Sequence, residues 1–412
     1  MPDRALEGIR VLDFGWHIAG PFATKLLADF GADVIKVERP GRGDPARDLG
    51  PFPPGNRSLE TSATFLYLNT NKRSIVLDLA HPAGREVALR LAASADIVLE
   101  NFRPGVMARL GLDHETLRTV NPDVITVSIS NYGQTGPYAQ YEATELTLWG
   151  HGEIPYITGQ SDRPPLKTAG AQPSLHAGIN ACIGALAALW QRDLLGEAQY
   201  LDVSILEAVV NLIEFSLGLY QCLGLVHRRR RATVAGFHPA GRRATAKGDL
   251  FLMFGSRTGA EVAVALNLPE LNDPRFATNA LRYQHREEFD RIFLPWLERH
   301  TATEAFRLLQ ERARLPVAKV MTLADLFEDE QYRAREYFVD LDHPLAGLAR
   351  YAGPPFKMSA TPAQYRRPAP RLGEHTIEIL REAGYSEGEI AQLIASGAAS
   401  AALTASPASE NN

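Results

Sequence analysis

Short apolar runs alternate with amphipathic helical stretches through the first 130 residues, and this alternation limits the possible folds more than any other feature of the chain. Arg10 to Phe14 reads as a strand. A glycine-containing turn follows, then a helix with Phe22, Leu26, Leu27 and Phe30 on one face, closed by Gly31. Asp33–Val37 is the next strand. Ser74–Leu79, a helix from Pro82 through Ala93, and the strand Ile97–Leu99 repeat the unit, and Val124–Ser130 ends in the polar loop Asn131–Tyr138. Strands joined through helices form right-handed crossovers and a parallel sheet, so the fold class is α/β. Ligands of such sheets bind outside the carboxyl ends of the strands, which points to the loops at 15–21, 38–47 and 100–109.

Beyond the alternating region the spacing of Ile179, Cys182, Ile183, Leu186, Leu189 and Trp190 predicts a long helix over about 175–191. Gln199–Ile205 reads as a strand, with a helix running on from Leu206. The stretch His227–Gly248 breaks the pattern with Arg228–Arg231, glycines and few large apolar residues. The expected division is a large domain over 1–226, a linker over 227–248, a small α/β domain over 249–330, a return segment over 331–396 that completes the large domain, and a disordered tail over 397–412. The small domain carries a strand at Leu250–Phe254.

Composition removes several function classes. A net charge of −5 argues against a nucleic-acid-binding surface, and four arginines without interleaved aromatics read as a solvated linker or a contact to a partner subunit. No run approaches the roughly 18 apolar residues of a membrane span, and the first residues lack a signal-peptide pattern, so a cytoplasmic location is expected. Two cysteines, Cys182 and Cys222, make no disulfide framework, and Cys182 is expected to be inert in the core. The 11 histidines show no metal-ligand spacing, and no metal is assigned. Glu38 imitates the acidic residue of a dinucleotide site, but the first turn, Phe14-Gly-Trp-His-Ile-Ala-Gly-Pro21, is not G-x-G-x-x-G, and there is no P-loop. Lys36, Arg39, Arg42, Lys72, Arg73, Arg103 and Arg109 gather near the strand ends of an otherwise acidic chain and suit a ligand with several phosphates.

Longer motifs run in order along almost the whole chain. They include Leu6-Glu-Gly-Ile-Arg-Val-Leu-Asp13, Leu27-Ala-Asp-Phe-Gly-Ala-Asp-Val-Ile-Lys-Val-Glu-Arg-Pro40 and Asn71-Lys-Arg-Ser-Ile-Val-Leu-Asp-Leu79. Glu100-Asn-Phe-Arg-Pro-Gly105, Gly133-Gln-Thr-Gly-Pro137, Asp202-Val-Ser-Ile-Leu-Glu-Ala208 and Leu372-Gly-Glu-His-Thr376 continue the series. The set resembles the class III CoA-transferase family (CaiB/BaiF, formyl-CoA:oxalate CoA-transferase type). The resemblance implies a Rossmann-like large domain built from both chain ends, a smaller α/β domain, and two subunits interlocked as a dimer. It implies no permanently bound cofactor; coenzyme A and acyl-CoA are substrates, together with a carboxylic acid. Family positions that touch CoA map onto His17, Ile18, Ala19, Arg39, Leu77, Asn101, Phe102 and Arg109.

The chain departs from the family at one position. The family's nucleophile is an aspartate just before the long helix, whose acyl anhydride is reactive enough to pass the acyl group on. Leu166-Lys-Thr-Ala-Gly-Ala-Gln-Pro-Ser-Leu-His-Ala-Gly178 places Ser174 there, and a serine ester is a poor acyl donor to a carboxylate. Ser174 reads better as part of a helix N-terminus than as the partner of His176, two residues on. Glu145 falls where the family carries an acidic residue and is a candidate acid/base group or substitute nucleophile. The racemase branch needs a histidine before that position and an aspartate later; Thr144 precedes Glu145, and no aspartate lies between Leu166 and Arg192. The expected function is CoA transfer between an acyl-CoA, for example a dicarboxyl-CoA, and a carboxylic acid, as the aspartate-lacking subunit beside an aspartate-bearing paralogous subunit. A non-catalytic CoA-thioester-binding or regulatory protein, or a CoA-thioester racemase or lyase, is the alternative. Trp149, His151 and Tyr156 are candidates for lining the acyl pocket.

Overall fold

The computed structural model describes residues 3–229, 237–255 and 257–402, and the chain divides into two compact units. The first comprises residues 1–154, 167–218 and 336–412; the second comprises 155–166 and 219–335. In chain order the elements are β1 (Arg10–Asp13), α1 (Ala19–Asp29), β2 (Asp33–Glu38), α2 (Ala63–Leu68), β3 (Arg73–Leu77), α3 (Pro82–Ala92), β4 (Ile97–Glu100), α4 (Val106–Leu110), α5 (His114–Val120), β5 (Ile125–Ser130), α6 (Glu145–His151), α7 (Ile154–Ile157), α8 (Gln172–Leu195) and β6 (Tyr200–Ser204). The six strands lie side by side in the order β3-β2-β1-β4-β5-β6, every pair parallel. That order is doubly wound, with its reversal between β1 and β4.

Side-chain chemistry explains the layering. Val11, Leu12, Val34, Ile35, Ile97, Val98, Ile125 and Val127 are all buried, because helices cover both faces of a parallel sheet. One face packs on α1 and α8, with Ala23, Leu27, Ala181, Ala185 and Leu189 in its core. The other packs on α3 and on helices near the C-terminus, through Val87, Leu91, Ile379, Leu380 and Ile390. Small residues let α8 approach the start of α1: a Cβ on Gly178 would come within 2.8 Å of the Ala19 carbonyl oxygen. His81 caps α3 ahead of Pro82, and Gly196 ends α8 in the left-handed conformation at φ 74°.

Several segments differ from the sequence expectation: residues 155–166 and 219–226, assigned to the large domain, cluster with the second unit. Residues 399–400, assigned to the tail, form a short strand antiparallel to β3, with Ala399 opposite Leu77. Their alanine and serine carry little strand signal, and backbone pairing to an open sheet edge supplies what propensity does not. Residues 240–244, assigned to the linker, form the edge of an antiparallel sheet with Asp249–Met253 and Val317–Lys319 in the second unit. That unit has its own aromatic core of Phe254, Phe276, Phe289, Phe293 and Trp296. Arg282 is buried beside it and donates to the carbonyls of His238, Phe276 and Gly255. Arg230 and Arg231 of the basic run, and residues 403–412, lie outside the described residues.

Candidate active site

At the reversal between β1 and β4, the turn after β1 is closed against the loop after β4. Asn101 binds both polar groups of the Trp16 backbone: its Oδ1 accepts from the Trp16 N–H at 2.6 Å, and its Nδ2 donates to the Trp16 carbonyl at 2.9 Å. Gly15 and Gly20 permit this closure, since a Cβ on either would sit 2.9 Å from the other's Cα. His17 takes φ 60°, a left-handed value that a non-glycine residue holds only when its surroundings enforce it. Its N–H is pinned to Asp44 Oδ1 at 2.9 Å.

A buried ionic network supports the turn from below. Lys36 Nζ donates to the Gly15 carbonyl at 2.8 Å and pairs with Asp44 at 2.8 Å. Lys72 Nζ pairs with Asp13 at 2.9 Å and lies within hydrogen-bond distance of Thr24, Asn69 and the Pro21 carbonyl. Burial alone would raise the Asp13 carboxyl, but Lys72 and Lys36 outweigh it and hold Asp13 below its ordinary value. Arg73 is likewise committed, to Asp33, Glu378 and Glu382. Lys36, Lys72 and Arg73 therefore serve the fold and are not phosphate ligands. Arg39, Arg42, Arg103 and Arg109 of that set keep solvent access.

Two cavities meet at this turn. The larger, of about 620 Å³, is lined by Trp16, Arg39, Leu77 and Val106 among others. The Arg39 guanidinium lies 4.9 Å from the Trp16 ring centroid, and Phe102 meets Trp16 edge-on at 4.9 Å, making a cationic and aromatic platform. The smaller, of about 310 Å³, is lined by Ile18, Ala19, Ile129, Leu148, Glu145 and Ser174 among others. His17, Asn101, Phe102, Arg103, Asn131 and Ala143 line both and form the neck between them. Of the eight residues expected to touch CoA, seven line one or both cavities. Arg109 lines neither; it is exposed on α4, one turn from Val106.

Ser174 lies in the first turn of α8, and its hydroxyl donates to Glu145 Oε1 from the first turn of α6. Glu145 Oε2 is buried without a hydrogen-bond partner, and Glu145 is the one carboxylate among the described residues lining the smaller cavity. Thr144 caps α6 through Thr147, and His176 bonds the Gln172 carbonyl instead of Ser174. Trp149 is buried and, like His151 and Tyr156, lines neither of these two cavities; Tyr156 belongs to the second unit. Sequence reasoning did not single out Trp16, Asn131, Tyr141 or Asp44. Asp44 announces itself only as Asp before Pro45, a turn signal. Burial pushes the inert Cys182 thiol up to about 12. Among the described residues no group of His, Cys, Asp and Glu is arranged to hold a metal, and no helix is long and apolar enough to cross a membrane.

Glu100, at the end of β4, is buried and accepts from the Phe102 N–H at 2.7 Å, so it sets the course of the neck loop. Burial pushes its carboxyl up to about 7, against a weaker opposing pull from Ser128 and the Phe102 N–H. A raised carboxyl makes the fold bind the proton more tightly than the unfolded chain does, so stability falls as pH rises from 4.5 to about 7. Glu100→Gln is expected to stabilise the protein by about 3 kcal/mol at pH 8, and by less than about 1 kcal/mol at pH 4.5. Urea unfolding at the two pH values checks this; equal shifts at both would show that the Glu100 carboxyl is not raised in the fold.

The description CoA-transferase family III matches residues 6–376. The succinyl-CoA–D-citramalate CoA-transferase of Chloroflexus aurantiacus is 35% identical over 396 residues, covering 95% of this chain and 97% of that protein. A formyl-CoA:oxalate CoA-transferase of Rhodopseudomonas palustris is 33% identical over 420 residues, covering 96% and 97%. The crystal structure of a CaiB/BaiF family protein from Brucella suis superposes with a TM-score of 0.82 at 29% identity, covering 93% of this chain and all (100%) of that one. The chain belongs to CoA-transferase family III.

Proposed function

We propose that the chain binds an acyl-CoA across the two joined cavities and takes part in moving CoA between that thioester and a carboxylic acid, as the subunit that lacks the aspartate. The observation carrying this is the Ser174–Glu145 hydrogen bond. Where the resemblance expects a nucleophilic carboxylate there is a hydroxyl, held as a donor to the neighbouring glutamate. Attack by a carboxylate on the thioester carbonyl expels CoA thiolate and leaves an anhydride, which the thiolate reopens; a serine ester has a much poorer leaving group. The carboxylate is then supplied by a homologous partner, in a dimer interlocked as the family resemblance implies. CoA is substrate, and no cofactor stays bound. A cytoplasmic setting suits two free cysteines.

The outer face of α8 supports association. The spacing that predicts this helix puts Ile179, Ile183, Leu186 and Trp190 on one stripe, and all four are exposed, Trp190 at 70%. A contiguous apolar stripe of that kind marks a protein contact. Native mass spectrometry of the protein purified from its own host is expected to find a complex with a similar-sized chain carrying the aspartate. Trp190→Glu is expected to prevent its assembly during synthesis, leaving the separate chain with unchanged circular dichroism. A homomer with full transferase activity overturns the subunit reading.

A second reading is favoured by the unpartnered Glu145 Oε2: Glu145 itself is the nucleophile. On that reading Glu145→Gln lowers turnover of the homomer at least about a hundredfold, the scale on which losing a nucleophile acts. Unchanged turnover removes it.

A further inference from the structure

Given an acyl-CoA seated as proposed above, with its thioester at Ser174 and Glu145, we infer that the smaller cavity takes an uncharged acyl group carrying an aromatic ring. Arg103 and His17 belong to the neck shared with the larger cavity, where the thiol arm would pass. Among the described residues that line the smaller cavity alone there is no lysine, arginine or histidine, and the one carboxylate is Glu145. A second carboxylate on the acyl group would meet no cation beyond the neck, where Arg103 and His17 lie, and would face Glu145, whose Oε2 already lacks a partner. Arg103 is itself paired at the rim with Glu142 at 2.6 Å.

An apolar wall comes from Ile129, Leu148 and Ile205 and is continued by Tyr141, which is 60% exposed. Tyr141 does not stand alone. Tyr138 stacks on it at 5.1 Å between centroids and 29° between planes, and His151 lies 5.5 Å from Tyr138. Tyr132 packs edge-on against both Tyr138 and His151 at 5.9 Å and is anchored on the sheet core. The Tyr141 ring is therefore backed by a column of rings reaching into the fold, which presents a fixed aromatic surface to the cavity. Offset or edge-on ring pairing adds affinity beyond area burial, and a preformed surface gains it at little cost in side-chain ordering.

The test is calorimetric titration of the full-length protein, in whatever assembly it is purified, with acetyl-CoA, phenylacetyl-CoA and succinyl-CoA. Phenylacetyl-CoA is expected to bind about tenfold more tightly than acetyl-CoA, and succinyl-CoA more weakly than acetyl-CoA. Tyr141→Ala is expected to lower phenylacetyl-CoA affinity about tenfold more than acetyl-CoA affinity, and Tyr141→Phe to keep the gain. Succinyl-CoA as the tightest ligand, or phenylacetyl-CoA no better than acetyl-CoA, overturns the inference while leaving the CoA site intact. Failure of all three thioesters to bind refutes the acyl-CoA site and the inference with it.

Discussion

Ser174→Asp is expected to raise CoA transfer by the isolated chain at least about a hundredfold, a modest part of what absence of a nucleophile costs in hydrolases. The substitution exchanges a hydroxyl for a carboxylate in the first turn of α8, facing the smaller cavity beside Glu145. Two carboxylates so close cannot both ionise freely. One takes up a proton and the other remains the nucleophile, which divides acid and base roles between them. The readout is exchange of a labelled carboxylic acid into the thioester pool, with mass spectrometry of the protein trapped by hydroxylamine to locate the hydroxamate adduct left on the activated carboxylate. An adduct on residue 174 with restored turnover means that the rest of the machinery is present in this chain. A folded variant with neither adduct nor turnover would mean that more than the nucleophile has been lost, and the supporting-subunit reading would have to explain the whole site.

Lys72→Met is expected to destabilise the fold by about 3–5 kcal/mol, because it leaves the Asp13 carboxylate buried without its closest cation. Both side chains of that pair are fully buried, so water cannot take over the role of the ammonium. Asp13 Oδ1 also accepts from the Gly15 N–H at 2.8 Å, which ties the pair directly to the turn lining both cavities. Loss of stability is accordingly expected together with weaker CoA binding. Guanidinium unfolding of Lys72→Met, Asp13→Asn and the double variant separates causes. The double variant should be more stable than the sum of the single losses implies, since removing both charges leaves neither stranded. Strict additivity would show that the two residues act independently and that the network is not one unit.

Much of the frame was legible in the chain because parallel strands buried on both faces read as apolar runs, as in Val34-Ile35 and Ile125–Ile129, and glycines mark where they turn. The loops that hold His17, Asn101 and Phe102 were legible for the same reason, because they follow strand ends; the residues themselves were picked out by the family resemblance. What escaped were relations between distant residues. Lys36 in its strand looks the same whether its ammonium meets a phosphate or Asp44, and Lys72 finds Asp13 from 59 positions away. The periodicity of α8 marked Ile183 and Trp190 as one stripe with the buried Cys182 and Leu189, but a wide apolar stripe does not say which part faces its own sheet and which is left open. The Ser174–Glu145 bond could not be read either, because α6 and α8 meet only through the fold.

The strand at 399–400 has a bearing on biogenesis. It pairs with β3, a segment that leaves the ribosome more than three hundred residues earlier. Throughout synthesis of the intervening chain, the outer edge of β3 has unpaired peptide groups, the geometry that recruits foreign strands. The second unit, whose contiguous bulk runs from 219 to 335, is complete before that edge is covered. The nascent protein thus passes through a stage with one finished body and one sheet still open along β3. Chaperone occupancy on translating ribosomes should be greatest in that interval, and shortening the chain before Ala399 should trade activity for aggregation.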